Sequence, residues 1–489
     1  MDDAHEREVV GRVRTGMHIG GSWRDTADQF DVTDPATGDV IARVADGTPG
    51  DGIAALDAAC SAQDDWAATA PRQRGEILRR AYELLMERVD DLALLMTLEM
   101  GKPVAESKAE ITYAADFFRW FSEEAVRIDG RWTPNPNGGA RLVVMRQPVG
   151  PCLFITPWNF PLAMGTRKIG PAIAAGCTMV VKPASLTPLS MLALTDLLGE
   201  AGLPGGVLNI VPTTHSSDFA KTVLGDPRLR KLSFTGSTEV GRVLMAQAAP
   251  NVLRVSMELG GNAPFLVFDD ADLDAAVDGA VIAKMRNIGE ACTAANRFLV
   301  QRPVAEEFAR RLAGRLANMK VGRGTEAGVE VGPLIDEDQR KKVTELVDDA
   351  VAGGATVLTG GNAIDGPGYF YSPTVLSDIA ASARLRSEEI FGPVAPVIAF
   401  DDEREGVDEA NNTEMGLVAY VYTNGLDRAF QVCERLQTGM VGLNQGMVSN
   451  AAAPFGGVKQ SGFGREGGHE GINEYVSTKY VAMRAPWSP

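Results

Sequence analysis

The strongest constraint on the fold is a set of short apolar runs that do not alternate with polar residues: GPCLFITPW (150–158), CTMVVKP (177–183), GVLNIVP (206–212) and KLSFTG (231–236). A strand with one wet face alternates, whereas a run apolar at successive positions needs cover on both faces. Helical stretches between the runs, such as SMLALTDLLGEAG (190–202), supply that cover. Strand, crossover helix and strand repeated in this way build a parallel sheet, so the chain reads as an α/β protein.

At 489 residues the chain exceeds what one core holds. A second alternation begins near MELGGNAPFLVFDD (257–270), runs through a helix with Leu273, Val277, Val281 and Met285 at i, i+4 spacing, reaches RFLVQ (297–301) and continues to about residue 445. Beyond it FGGVKQSGFGREGG (455–468) is Gly-rich and irregular. Two strand-like stretches, ARLVVMRQP (140–148) and STKYVAMRA (477–485), lie outside both blocks. Open strand edges of this kind are expected to pair with another subunit.

A formal charge of −17 disfavours nucleic acid and anionic membranes as partners. No apolar run approaches the ~20 residues that span a bilayer. The opening MDDAHEREVVGRVRTG has no apolar signal region, so a cytoplasmic location is expected. Cys60, Cys152, Cys177, Cys292 and Cys433 are widely spaced with no C-x-x-C pair, and read as reduced thiols. His5, His18, His215 and His469 show no metal-ligand spacing, so no metal is expected.

Within NIGEACTAANR (287–297), Cys292 stands among small residues near the end of a helix. The residues alone leave two readings open. A lone cysteine is most often a small buried apolar group; a nucleophile here needs help in forming its thiolate, because no histidine is near in sequence. ITPWNFP mounts Asn159 between Trp158 and Phe160 at a strand end, which suits an oxyanion donor and equally an Asn satisfying its own turn. Glu258 in MELGGN precedes glycines that permit close backbone approach, which suits a general base of raised pKa or an ordinary salt-bridged carboxylate. FTGSTEVG (234–241) is strand, turn and helix start, where Gly236, Ser237 and backbone N–H groups can meet a pyrophosphate. Its spacing is neither a Walker motif nor G-x-G-x-x-G. Lys182 in VVKPAS (180–185) is either a surface lysine or a group at the strand's carboxyl edge, where α/β sheets bind ligands.

Taken together and in order, FITPWNFPLAMGTRKIGPAIAAGCTMVVKPAS, KLSFTGSTEVGR, MELGGNAPFLVFDDADLDAAV, NIGEACTAANRF, EEIFGPVAPV and PFGGVKQSGFGREGG resemble the aldehyde dehydrogenase superfamily, and within it the bacterial succinate-semialdehyde dehydrogenases. The resemblance covers nearly the whole chain. It implies a Rossmann-like cofactor domain (1–125 and 148–257), a second α/β catalytic domain (258–450), oligomerisation strands (126–147 and 470–489) forming a small β arm, and a connecting Gly-rich segment (451–469). It makes Cys292 the nucleophile, Asn159 the oxyanion amide and Glu258 the base that activates the hydrolytic water. Trp158 and Ser237 match pyrophosphate contacts, Lys182 a contact to the adenosine ribose, and Glu389 with Phe391 contacts to the nicotinamide ribose and ring. Where many NAD-preferring relatives carry a glutamate, this chain has Ser185 beside Lys182, so NADP is the expected cofactor, with NAD possible.

For the substrate, Arg167, Arg286 and Ser449 resemble the carboxylate-binding set of succinate-semialdehyde dehydrogenases, with Phe455 lining the same site. Arg286 near a helix C-terminus also has a purely structural reading, a cation against the helix dipole. The expected reaction is oxidation of succinate semialdehyde to succinate through a cysteine thiohemiacetal and thioester, by a homodimer or homotetramer. Glutarate semialdehyde is the near alternative. A CoA-acylating enzyme is disfavoured by Glu258, and a non-enzymatic protein retaining the fold by the presence of Cys292, Asn159 and Glu258 together. Ala294, where some relatives carry a second cysteine, removes a local redox switch, and VPTTHSSDF (211–219) departs from the Gly-rich stretch common in the superfamily.

Overall fold

Five parallel strands, Cys152–Ile155, Met179–Lys182, Leu208–Ile210, Lys231–Thr235 and Arg254–Glu258, form the middle of the first sheet. The computed structural model describes residues 3–485, so residues 1–2 of the span 1–125 and residues 486–489 of the span 470–489 lie outside the described residues. The first four strands are buried along their whole length, as their uninterrupted apolar runs require. Leu153, Ile155, Val180 and Leu232 pack with Leu56, Phe219 and Val223 on one face. Cys152, Phe154, Met179 and Val181 pack with Leu78, Ile111, Phe118 and Ile169 on the other. Residues two apart thus serve the same layer of helices.

The spatial order of these strands begins with Leu208–Ile210, then Met179–Lys182, Cys152–Ile155, Lys231–Thr235 and Arg254–Glu258. The chain therefore starts in the middle, works outward, and returns to the other side of its first strand. Such a reversal leaves a crevice beyond the carboxyl ends of the two strands that flank it. Trp158 and Asn159 follow one of those strands, and Gly236 and Ser237 follow the other.

The second sheet has the order Thr356–Thr359, Thr374–Ser377, Val394–Phe400, Ala295–Gln301, Ala263–Val267, Val418–Tyr422, Met440–Leu443, all pairs parallel except the first. Phe265 centres its core, stacked on Tyr422 at 5.0 Å and tilted against Phe298 at 5.2 Å. MELGGN straddles the two sheets: Glu258 ends a strand of the first, and Ala263 begins a strand of the second.

A third sheet pairs Val476–Arg484 with Ala140–Pro148 in antiparallel register from Val476↔Pro148 to Arg484↔Ala140, and adds Arg131–Pro134 outside. Among the described residues, no helix is long and apolar enough to cross a membrane.

Candidate active site

Cys292 lies three positions before the strand Ala295–Gln301 of the second sheet, facing the carboxyl edge of the first. It lines a cavity of about 220 Å³ with Trp158, Asn159, Gly236, Ser237, Glu258, Glu389 and Phe391. Seven residues chosen from the sequence for three different roles thus meet around one thiol. The glycines after Glu258 make this possible: a Cβ at Gly261 would stand 2.6 Å from the Cys292 carbonyl oxygen, and one at Gly260 3.1 Å from Glu389 Oε2. Burial pushes the Cys292 thiol up to about 12; Arg167 and Arg286 oppose this, and the carboxylates Glu389 and Glu258 add to it. The resting sulfur is a thiol, and its ionisation needs a further positive charge.

Asn159 is held from three sides. Its carbonyl accepts from Lys102 Nζ at 2.8 Å and from Asn287 Nδ2 at 3.0 Å, while its own Nδ2 donates to the Glu290 carbonyl at 2.9 Å. One amide proton remains for a ligand. No acceptor among the described residues takes the Cys292 backbone N–H. Two donors are therefore open beside the thiol, of the kind that can meet an oxygen gaining charge. The loop before Cys292 is bent by left-handed Asn287 (φ 56°) and Ile288 (φ 63°), and Glu106 fixes it by accepting from the Asn287 N–H at 2.5 Å.

Glu258 is 4% exposed, and its Oε2 has no hydrogen-bond partner among the described residues. Burial, and then the negative Glu466, hold its carboxyl well above the ordinary range against Arg167, Lys168 and Arg465. A desolvated carboxyl opening onto the cavity that holds a nucleophile is poised to take a proton from water.

The remaining lining fits a dinucleotide. Ser237 caps the helix Thr238–Ala248, accepting from the Val240 N–H at 3.3 Å, and the free N–H groups of that helix start suit a phosphate. Glu389, raised to about 7 by burial, accepts from the Gly261 N–H at 2.9 Å. Phe391, left-handed at φ 55°, stands edge-on to Trp158 at 5.5 Å, and Gln339 Nε2 fixes it by donating to its carbonyl at 2.6 Å. Lys182 and Ser185 lie outside the cavity lining, at the end of the Met179–Lys182 strand and just beyond it. Burial lowers Lys182 to about 8, and no acceptor among the described residues takes its ammonium.

On the other side of the same loop, Arg286 and Ser449 line a second cavity of about 430 Å³ with Tyr113, Phe160, Met285 and Met447. Arg286 Nη1 donates to Ser449 Oγ at 3.3 Å, and the guanidinium lies 4.9 Å from the Phe160 ring centre and 5.8 Å from that of Tyr113. Among the described residues, no carboxylate stands within ion-pair distance of Arg286. Arg167 and Phe455 are placed differently. Arg167 is 1% exposed, its guanidinium 3.8 Å from the Phe455 ring centre and its Nε 2.7 Å from Glu466 Oε2. It lines neither cavity and ion-pairs with Glu466, although its Nη2 has no hydrogen-bond partner among the described residues.

Several residues of the site carried no signal in the sequence. Gln339 and Lys342 reach the first cavity from the helix Glu337–Ala352, where they stand among other polar residues. Glu466, in the Gly-rich segment, ion-pairs with both Arg167 and Lys168, and these cations hold its carboxyl below the ordinary value although burial opposes them. Tyr113 comes from the helix Val104–Glu124 and Lys102 from the short connection before it, far in sequence from every motif.

Comparison with known proteins agrees with this geometry. The sequence profile of the aldehyde dehydrogenase family matches residues 23–481. The chain is 57% identical over 448 residues to a succinate-semialdehyde dehydrogenase of Paenarthrobacter nicotinovorans, covering 92% of this chain and 100% of that one. It is 50% identical to a glutarate-semialdehyde dehydrogenase of Pseudomonas putida, covering 96% of this chain and 98% of that one. The crystal structure of an E. coli NADP-dependent enzyme superposes with a TM-score of 0.96 at 48% identity, over 99% of this chain and 100% of that one. Matched along nearly its whole length in sequence and in fold, the chain belongs to the aldehyde dehydrogenase family.

Proposed function

We propose that the protein oxidises succinate semialdehyde to succinate, with NADP as the preferred cofactor. The observation that carries the substrate is Arg286: a cation without a carboxylate partner among the described residues, set between two rings and bonded to Ser449, in a cavity that adjoins the Cys292 loop. A half-buried guanidinium without an anionic partner among the described residues selects an aldehyde with a carboxylate at its far end. Relatives named for two such semialdehydes support this.

The chemistry follows from the groups around the sulfur. Cys292 Sγ attacks the aldehyde carbon, and the oxygen that gains charge is met by the Asn159 amide and the Cys292 N–H. A bound oxidised nicotinamide supplies the hydride acceptor and the positive charge that favours the thiolate. Trp158, Ser237, Glu389 and Phe391 are the residues that would hold it, with Lys182 and Ser185 towards the adenosine end. The thioester left on Cys292 is then attacked by water that gives its proton to Glu258. The C–S bond breaks, and the acid leaves. Arg167, behind Phe455, acts on Cys292 through its field and opposes the rise in the thiol's pKa.

Arg286→Ala is expected to lower kcat/KM for succinate semialdehyde by about a hundredfold or more, chiefly through KM, because a charged hydrogen-bonded pair is lost. Butanal should change little, and equal losses on both would remove the anion anchor. Ser185→Glu is expected to lower the NADP-to-NAD ratio of kcat/KM by at least about tenfold, since a carboxylate beside a 2′-phosphate is a like-charge contact. An unchanged ratio would show that position 185 does not face that phosphate.

Glutarate semialdehyde is a second reading. Met285, Met319 and Met447 line the Arg286 cavity, and flexible thioethers accommodate one more methylene. Oxidation rates with the two semialdehydes, measured side by side, separate the readings.

The division into a cofactor domain (1–125 and 148–257) and a catalytic domain (258–450) belongs to the same proposal and is supported by the two sheets, which meet at the LGGN link after Glu258. So does assembly as a homodimer or homotetramer. The three-stranded sheet ends in an open edge and exposes Trp132 and Tyr480, each 58% accessible.

A further inference from the structure

The Arg286 cavity contains a second unanswered donor. Tyr113 projects from the helix Val104–Glu124, its ring edge-on to Phe117 at 5.0 Å. Its hydroxyl is buried and has no hydrogen-bond partner among the described residues. Arg167 and Arg286 both act on it, and the Ser449 hydroxyl lies close by, short of a well-formed hydrogen bond. The acids nearby are already committed. Glu106 accepts from the Asn287 N–H at 2.5 Å. Glu110 takes the Lys102 ammonium at 2.5 Å and the N–H groups of Leu162 and Ala163 at 3.0 and 3.1 Å. Among the described residues neither carboxylate accepts from the Tyr113 hydroxyl or stands within ion-pair distance of Arg286.

A buried donor without an acceptor is costly and uncommon in a folded protein, and calls for a partner from outside. Here it stands beside an unpaired cation and a hydroxyl, so the missing partner is an anion with more than one acceptor oxygen. We infer that Tyr113 is a ligand of the substrate's distal carboxylate, its hydroxyl donating to one oxygen while Arg286 and Ser449 hold the group. Burial and the raised phenol pKa that follows keep Tyr113 an O–H donor at neutral pH. This inference rests on the proposed preference for a carboxylated aldehyde. A site that hydrogen-bonds a ligand group rejects analogues lacking it, because its own polar atoms are then left unpaired.

Tyr113→Phe tests this while keeping the ring against Phe117 and under Arg286. With NADP saturating, KM for succinate semialdehyde is expected to rise about tenfold or more, as loss of one hydrogen bond to a charged group implies. Its kcat should stay within about twofold, with both constants for butanal unchanged, since a structural role would move both substrates. The inhibition constant of succinate against butanal should rise in parallel with that KM. If the wild-type enzyme shows no preference for the carboxylated aldehyde, the proposed function and this inference fall together. If the preference exists and Tyr113→Phe leaves it intact, or weakens both aldehydes equally, this inference alone is overturned.

Discussion

Replacing Cys292 by serine is expected to cut aldehyde-dependent NADPH formation by about 10⁴-fold or more, the scale on which enzymes lose rate when a nucleophile is removed. The two side chains are close in size, and Cys292 is only half-buried, so the variant should fold. What is lost is ionisability. Even the thiol is held at about 12 by burial and by its carboxylate neighbours, and a hydroxyl in the same place starts far higher. Asn159 and the free Cys292 N–H still line the cavity in the variant, but an oxyanion site without an attacking atom has no oxyanion to stabilise. Steady-state rates of the purified variant, with its thermal unfolding recorded beside them, check this. Activity above one part in a hundred of wild type would show that another group attacks the aldehyde.

Glu258→Gln separates the two halves of the reaction. Formation of the thioester does not use the carboxylate, whereas its hydrolysis does, so the variant should release a burst of about one NADPH per site and then turn over about 10²- to 10⁴-fold more slowly than wild type. The pH dependence has a definite sign. A general base works only when ionised, and Glu258 stands well above the ordinary carboxylate range through burial and the negative Glu466. Wild-type hydrolysis is therefore expected to fall as pH drops through that raised pKa, well before ordinary carboxylates protonate, and to recover as pH rises through it. In Glu258→Gln this limb should vanish from the residual rate. Stopped-flow traces over a pH series measure both, and loss of the burst itself would place Glu258 in the first half of the reaction.

What could be read from the sequence was whatever local pattern determines. The apolar runs at 150–158, 177–183, 206–212 and 231–236 contain the strands Cys152–Ile155, Met179–Lys182, Leu208–Ile210 and Lys231–Thr235, because strands covered on both faces leave no room for polar alternation. ITPWNFP and FTGSTEVG are legible for a related reason: each follows a strand end, and the reversal of strand order brings those ends to one crevice. NIGEACTAANR alone does not distinguish a nucleophile from a core thiol. The difference lies in Asn159 and Glu258, which are remote in sequence and near in space. Charge compensation was the least legible feature. Arg167 and Arg286 look equivalent as letters, yet Glu466 folds back from the Gly-rich segment to pair with one, while no carboxylate among the described residues reaches the other. Tyr113 is hidden for the same reason, since a tyrosine in an amphipathic helix reads as core until its hydroxyl is found without a partner.

In the proposed mechanism one thiol carries the substrate between oxidation and hydrolysis. The most direct measurement is the mass of Glu258→Gln after mixing with succinate semialdehyde and NADP and quenching in acid, followed by mapping of its cysteine peptides. A gain of about 100 Da, a succinyl thioester, is expected on the peptide that contains Cys292. An unmodified Cys292 after a full burst of NADPH, or the same gain on Cys60 or Cys433 instead, would contradict it.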